Sequence, residues 1–205
     1  MEKQVDKDSY DFGKYCYFDR WVSYYHQISE ILKLKPNSVL EVGVGDGFLR
    51  DYFRNSSNIF YQSLDLAEDL NPDIVGSVES IPLKENSFDV VVAFEILEHL
   101  PFDKFEKSLI ELRRVSKKDV LISLPHFGPP IKFCFKLPFL KEIKFALKIP
   151  YHPEHKFNGQ HYWEIGKKGY SPKRIKTIIE KYFFVKKDFI SFENQYHHFY
   201  ILEKK

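Results

Sequence analysis

The residues VLEVGVGDGFL, 39 to 49, set Gly43, Gly45 and Gly47 at alternate positions between a short β-branched run and a stretch of helical character. Glycine is needed where the backbone takes positive φ or where a ligand comes within contact distance of the main chain. The helix that follows offers free N–H groups and the positive end of its dipole. A strand, a tight glycine turn and a helix in that order suit a nucleotide-like ligand, although a turn with no ligand is spelled much the same way. Eighteen residues beyond Gly47, Asp65 ends the next strand-like run. A carboxylate there can accept hydrogen bonds from both hydroxyls of a ribose, or serve as an ordinary strand-end turn residue.

A second group of residues has a different chemistry. In Glu95-Ile96-Leu97-Glu98-His99 two acids stand three apart with a histidine beside the second. That spacing puts oxygen and nitrogen donors on one turn, enough to begin a divalent-ion site and equally compatible with a histidine that only packs. The spelling resembles the metal triplet of small-RNA 2'-O-methyltransferases and of ubiquinone-pathway O-methyltransferases, a resemblance that implies His155 as a fourth ligand. No residue is assigned to a metal on this ground. Histidine is also the natural base for removing a proton from a hydroxyl near neutral pH. His126 is the first choice for that role, because its place just after a strand is set by the sheet, with His99 as the second candidate. His152, His155 and His161 lie in the stretch that follows.

The elements that must hold these residues read as alternating strands and helices. Apolar and aromatic residues at Phe18, Trp21, Val22, Tyr25, Ile28, Ile31 and Leu32 keep spacings of three and four, which predicts an amphipathic helix over 17–34 that buries this stripe. Strands are predicted at 38–42, 59–66, 73–76, 88–94 and 120–124, and the nearly unbroken apolar run FDVVVAF should be central and covered on both faces. Helices are predicted over 48–54 and from Pro101 to about Val115. This rhythm implies βαβ units and a doubly wound parallel sheet. The rhythm breaks over 126–170, an insertion with four of the eight histidines. Within it, IKFCFKLPFLKEIKFALKI, 131 to 149, has five lysines and one acid and reads as a basic amphipathic helix interrupted at Pro138. A helix over 171–182 and strands over 183–192 and 196–202 complete the chain.

Taken together, VLEVGVGDG, the acid in LDL, GSVESIPLKENSFDVVVAFEILEHL and VLISLPH resemble the class I S-adenosylmethionine-dependent methyltransferases of the broad type 11 group, over about Ser38 to His126. The resemblance implies a Rossmann-like α/β fold of seven strands with the last antiparallel, carrying here a cap insertion after strand five. It implies S-adenosyl-L-methionine as cofactor and S-adenosyl-L-homocysteine as product. Glu41, Gly43, Gly45 and Gly47 would surround the methionine part, Asp65 and Leu66 the ribose, and Ser77 and Val78 the adenine. Many relatives carry an acid where Ser77 stands, so Glu79 is a possible substitute for that contact. Phe94 and Glu95 would lie where cofactor and acceptor meet. The segment HYWEIGKKGYSPKRI, 161 to 175, resembles one in type 11 enzymes of cell-surface polysaccharide clusters. NAD-dependent dehydrogenases, which favour GxGxxG, fit less well.

Composition sets the outer bounds. The 205 residues are 43% hydrophobic and 29% charged with a net charge of +2, as for an ordinary globular domain and unlike a disordered or disulfide-stapled chain. The charge is uneven, −7 over 1–125 and +9 over 126–205. No run of eighteen apolar residues is present, the start MEKQVDKDSY is charged, and Cys16 and Cys134 have no metal-ligand spacing, all of which predicts a cytoplasmic protein. One domain is expected, with a helical cap over 1–36, the cofactor core over 37–125, the insertion over 126–170 and a closing helix and hairpin over 171–205. The expected activity is O-methylation of a small-molecule or saccharide-type acceptor, the N-terminal helix and the insertion forming its pocket. The alternatives are an RNA methyltransferase with a metal-assisted site, favoured by the basic second part, and an S-adenosylmethionine-binding protein without turnover. Oligomeric state is left open.

Overall fold

A strand that is a nearly unbroken apolar run has to be covered on both faces, and FDVVVAF is. In the computed structural model, which describes residues 10–205, it forms β4 (Phe88–Phe94) in the middle of a seven-stranded sheet. On one side of β4 lie β1 (Ser38–Val42), β2 (Phe60–Asp65) and β3 (Ile74–Val75), all parallel to it. On the other lie the parallel β5 (Ser116–Pro125) and then the two strands of the C-terminal hairpin. That hairpin fills the edge, and its inner strand runs antiparallel to β5. Alternate residues sort to the two faces: Val91, Ala93, Val120 and Ile122 into one core, Val90, Val92 and Leu121 into the other.

The helices sit where their apolar stripes require. α3 (Phe48–Ser56) turns Leu49 and Phe53 onto the second face beside Tyr61. α4 (Phe105–Val115) lays Phe105, Leu109, Leu112 and Val115 on the first, after Pro101 and a short 3-10 turn. α1 (Phe12–Tyr15) is a single turn before the longer α2 (Phe18–Lys33). α2 has the predicted span but not the predicted face. Its buried residues are Ser23, Tyr24, Gln27, Glu30 and Ile31, whereas Phe18, Trp21 and Tyr25 are exposed. The polar face is held inward by specific bonds: Asn194 donates to the Ser23 hydroxyl at 2.9 Å, and Glu30 receives Lys33 and Lys187, each at 2.7 Å.

The second correction falls in the insertion. Residues 131–149 are not a helix. They form a two-stranded antiparallel ribbon, β6 (Pro130–Phe135) with β7 (Ile143–Lys148), whose register pairs Ile131 with Leu147, Phe133 with Phe145 and Phe135 with Ile143. The β-branched and aromatic residues that supply the helical spacing also alternate with lysines at a period of two, and that alternation prevails. All six paired apolar residues stay substantially exposed.

The rest of the insertion behaves in the opposite way. Tyr162 donates its N–H to the carbonyl of Glu98 at 2.9 Å, Ile165 to that of Pro125 at 2.9 Å, and Phe127 to that of Ile165 at 2.8 Å. Trp163 is fully buried against Phe102 and Phe105 and donates its indole N–H to the Leu100 carbonyl at 3.1 Å. Gly166 has φ +88, and a Cβ there would stand 2.4 Å from the Phe127 carbonyl oxygen. α5 (Pro172–Ile179), capped by the Ser171 hydroxyl, leads into β8 (Phe183–Ile190) and β9 (His197–Lys204). β9 is the strand antiparallel to β5. Among the described residues no helix is long and apolar enough to cross a membrane.

Candidate active site

The carboxyl ends of β1, β2 and β4 open into one cavity of ≈ 490 Å³, roofed by α1 and α2. A crevice outside the carboxyl ends of parallel strands is where open α/β sheets bind ligands. Its floor is the glycine turn. Gly43 takes φ +89, and a Cβ there would fall 2.0 Å from the Ile96 side chain, so no other residue fits. Gly45, at φ +57, has among the described residues a Tyr10 ring carbon at 3.7 Å and the Tyr15 hydroxyl at 3.9 Å from its missing Cβ, and its main chain lines the cavity. Gly47 does not line the cavity; it is the left-handed residue from which α3 starts.

Asp65 ties this floor together. One carboxylate oxygen accepts the Val44 N–H at 2.8 Å and the other the Ala67 N–H at 2.9 Å. Each oxygen keeps a lone pair, and Asp65 and Leu66 both line the cavity. The side chain is therefore both the turn residue and the exposed acceptor that the sequence offered as alternatives. Glu41 also lines the cavity; burial pushes its carboxyl well above the ordinary range, against the Tyr61 hydroxyl and the Arg50 guanidinium. Ser77 and Val78 line the side wall. Glu79 does not, being paired instead with Lys104 at 3.4 Å and Lys107 at 3.8 Å.

Tyr15, Tyr17, Arg20 and Tyr24 make the roof. The Arg20 guanidinium lies 4.3 Å from the Tyr15 ring centre, and the Tyr24 hydroxyl donates to Asp46 at 2.6 Å. Tyr15 and Tyr17 face the cavity, while Trp21 packs on Phe48 and Tyr24 and does not line it.

The far end of the cavity is lined by Phe94, Glu95, His99, His161, Tyr196 and His197. Glu95 stands where β4 ends, with φ +55, a left-handed backbone unusual for glutamate that turns the chain away from the sheet. Burial pushes its carboxyl up to about 7, against Ser123, Arg20 and His161. His197 lies 3.6 Å away through Nε2, its Nδ1 2.7 Å from the Ser23 hydroxyl, and burial keeps it neutral well below its ordinary range. Glu98 is fully buried just behind, and burial, reinforced by Glu95, raises it well above the carboxylate range. His99 is lowered to about 4 by burial and by His161, whose ring meets its own edge-to-face at 5.1 Å.

His126 is not part of this group. Its ring stacks on His198 at 5.2 Å, with the two Nδ1 atoms 3.1 Å apart, and does not line the cavity. The strand-end position is real, but the pairing of His126 N with the Tyr196 carbonyl at 2.7 Å carries the chain along β9 rather than over the cavity. His155 is not in the acidic cluster either; it donates to the His161 carbonyl at 2.8 Å. His161, Tyr196 and His197 are the residues that the sequence did not single out as a group. The one available signal was HYWEIG, whose buried tryptophan fixes where His161 lies.

Residues 40–124 match a methyltransferase-domain family. No curated protein matches the chain in sequence. Among solved structures, a S-adenosylmethionine-dependent methyltransferase from Clostridium acetobutylicum is 8% identical with a TM-score of 0.59, over 98% of this chain and 92% of that one. The N-methyltransferase NodS from Bradyrhizobium japonicum, in complex with S-adenosylhomocysteine, is 8% identical with a TM-score of 0.57, over 91% and 88%. A 1,6-didemethyltoxoflavin-N1-methyltransferase from Burkholderia thailandensis, with that compound and S-adenosylhomocysteine bound, is 13% identical with a TM-score of 0.56, over 90% and 85%. At such identities these likenesses concern the fold.

Proposed function

We propose that this chain, which has the class I S-adenosylmethionine-dependent methyltransferase fold, transfers the methyl group to an oxygen of a small-molecule or saccharide-type acceptor held at the far end of the cavity. The observation that carries this reading is the division of one cavity into two unlike ends. The end at β1 and β2 offers bare main chain at Gly45 and the Asp65 carboxylate, the chemistry of a nucleoside. The end at β4 offers carboxyl and imidazole groups under an aromatic roof.

Methyl transfer is an in-line displacement at a sulfonium carbon that its positive charge already activates, so the protein chiefly aligns donor and acceptor and, for a hydroxyl, receives a proton. In this reading Glu41, Gly43, Gly45, Asp65 and Leu66 hold the methionine and ribose parts, and Ser77 and Val78 flank the adenine without an acid for its amino group. Phe94 and Glu95 stand at the junction. The base is drawn from the residues that reach the cavity, Glu95, His99 and His161, rather than from His126. The roof residues Tyr15 and Tyr17 exclude water. Relatives of the same fold bound to S-adenosylhomocysteine support the choice of cofactor. The free Cys16 and Cys134 fit a cytoplasmic setting.

The test is calorimetry with S-adenosylhomocysteine, followed by release of S-adenosylhomocysteine from S-adenosylmethionine with a panel of sugars, nucleotide sugars, phenols and short RNAs. Micromolar binding with turnover on a hydroxyl compound supports the reading. Turnover confined to RNA replaces the acceptor class, and binding without turnover on any acceptor leaves a cofactor-binding protein.

A further inference from the structure

Behind the acceptor end lies a set of polar atoms that the protein itself does not satisfy. Glu98 is 0% exposed, and among the described residues neither of its carboxylate oxygens has a hydrogen-bond partner, nor does Oε1 of Glu95. A buried carboxylate with no donor is costly unless a proton or a cation accompanies it. His161 shows which. The Glu164 carboxylate lies 3.1 Å from its Nδ1 and so takes the ring proton there, and Glu164 is itself fixed by the Tyr196 hydroxyl at 2.8 Å. That turns His161 Nε2 towards Glu98 Oε1 at 4.0 Å, too far for a hydrogen bond and wide enough for an ion to stand between them. His99 also ties one ring N–H to a main-chain acceptor, the Gln160 carbonyl. Imidazoles whose second nitrogen is tied to a carboxylate or a carbonyl are the usual form of metal-binding histidine.

We propose that Glu98, His99 and His161 bind a divalent transition-metal ion at the acceptor end of the cavity, with Glu95 beside it. One ligand atom from each of the three lies within 4.8 Å of the others. Ligands sharing an octahedral ion stand about 3 Å apart when adjacent and about 4 Å when opposite, for bonds near 2.1 Å, so closing the site needs side-chain shifts of about an ångström. Two imidazoles and a carboxylate suit Mn²⁺, Fe²⁺, Co²⁺ or Zn²⁺ better than Mg²⁺ or Ca²⁺. The tertiary contacts that assemble the set are specific: the Tyr162 N–H on the Glu98 carbonyl and the His155 ring on the His161 carbonyl hold the insertion against the EILEH turn. Because His99 and His161 also line the cavity, the ion's remaining positions face it. On the methyltransferase reading above, and only there, a hydroxyl acceptor would bind the ion through oxygen and lose its proton more readily.

The experiment uses the full chain stripped with EDTA and dialysed, titrated with Co²⁺ and followed by its visible d–d absorption, with Zn²⁺ calorimetry in parallel. The expected result is one ion per chain, with affinity reduced at least tenfold in Glu98→Gln and in His161→Ala, and ten- to a hundredfold in the positioning variant Glu164→Gln. Binding of S-adenosylhomocysteine, measured separately on each variant, reports whether it is folded and whether the cofactor reading holds, independently of the metal. No saturable binding at millimolar metal, or binding that folded Glu98→Gln and His161→Ala leave unchanged, overturns the proposal.

Discussion

The two ends of the cavity are built in different ways. The end proposed for the cofactor draws on segments that all lie within residues 41–78, namely 41–46, 64–67 and 76–78, each at the end of a parallel strand. Its geometry is carried by main chain, glycine φ angles and one carboxylate on two N–H groups. The acceptor end draws on α2, the turn after β4, residues 160–161 of the insertion and the start of β9. Its geometry is carried by side chains buried at a cost and held by contacts between residues far apart in sequence. The first construction is robust and common to a fold. The second can change partner by partner, and on the function proposed above it is the end that would set acceptor specificity.

The largest test of that contrast is Trp163→Ala. Trp163 is fully buried, and its loss should cost about 3 to 5 kcal/mol, lowering Tm by roughly 10 °C at this chain length. It should also disturb the acceptor end, because residues 161–165 are positioned by its packing. Thermal unfolding monitored by circular dichroism measures the effect, and a fall of less than about 3 °C would mean that this half of the insertion is not part of the core.

Next comes acidity. Burial, with Lys148 and His198 adding to it, lowers His126 to about 3, and burial lowers His198 to about 4, although Asp188 at 3.8 Å pulls His198 the other way. The unfolded chain binds protons at about pH 6.5 where the folded one does not, so stability declines as pH falls from there towards 4. A shift of two units or more corresponds to roughly 3 kcal/mol. Tm followed from pH 7 to pH 4.5 should drop, and less steeply in His198→Asn; parallel slopes in the two proteins would remove this pair as the cause.

A smaller effect separates the two ends functionally. Asp65→Ala should weaken S-adenosylhomocysteine binding tenfold or more, since hydrogen bonds to a charged acceptor contribute about 1.5 to 3 kcal/mol. His161→Ala should change that affinity less than about threefold while abolishing most turnover. Equal losses in both variants, read by calorimetry, would show that the cavity does not divide as described.

The same contrast explains what the sequence discloses. The strand positions, the glycine turn and the place of Asp65 at a strand end are legible because each depends on local pattern: alternation, an apolar run, glycine where φ is positive. The buried face of α2 is not, because Ser23 and Glu30 are drawn inward by Asn194 and Lys187, which lie more than 150 residues away. Nor is the meeting of His161 with Glu98, which depends on Trp163 reaching the core beneath Leu100. His126 illustrates the converse. Its strand-end position follows from the sequence, but the direction of its ring depends on β9, which pairs with β5 from more than seventy residues further along the chain.

The smallest effect belongs to the ribbon. Phe139 at its tip is fully exposed, and Phe133 and Phe145 pair on a face that nothing among the described residues covers. Substitution at such a position ordinarily changes stability by less than about 0.5 kcal/mol. Phe139→Ser should therefore leave Tm within about 2 °C and S-adenosylhomocysteine affinity unchanged. The outcome bears on the whole insertion, because Phe139 and Trp163 stand 24 positions apart in it and are predicted to differ by several kcal/mol in what they contribute. If Phe139→Ser instead lowers Tm by 4 °C or more, the ribbon is covered in solution, and its six paired apolar side chains belong to a buried surface as much as Trp163 does.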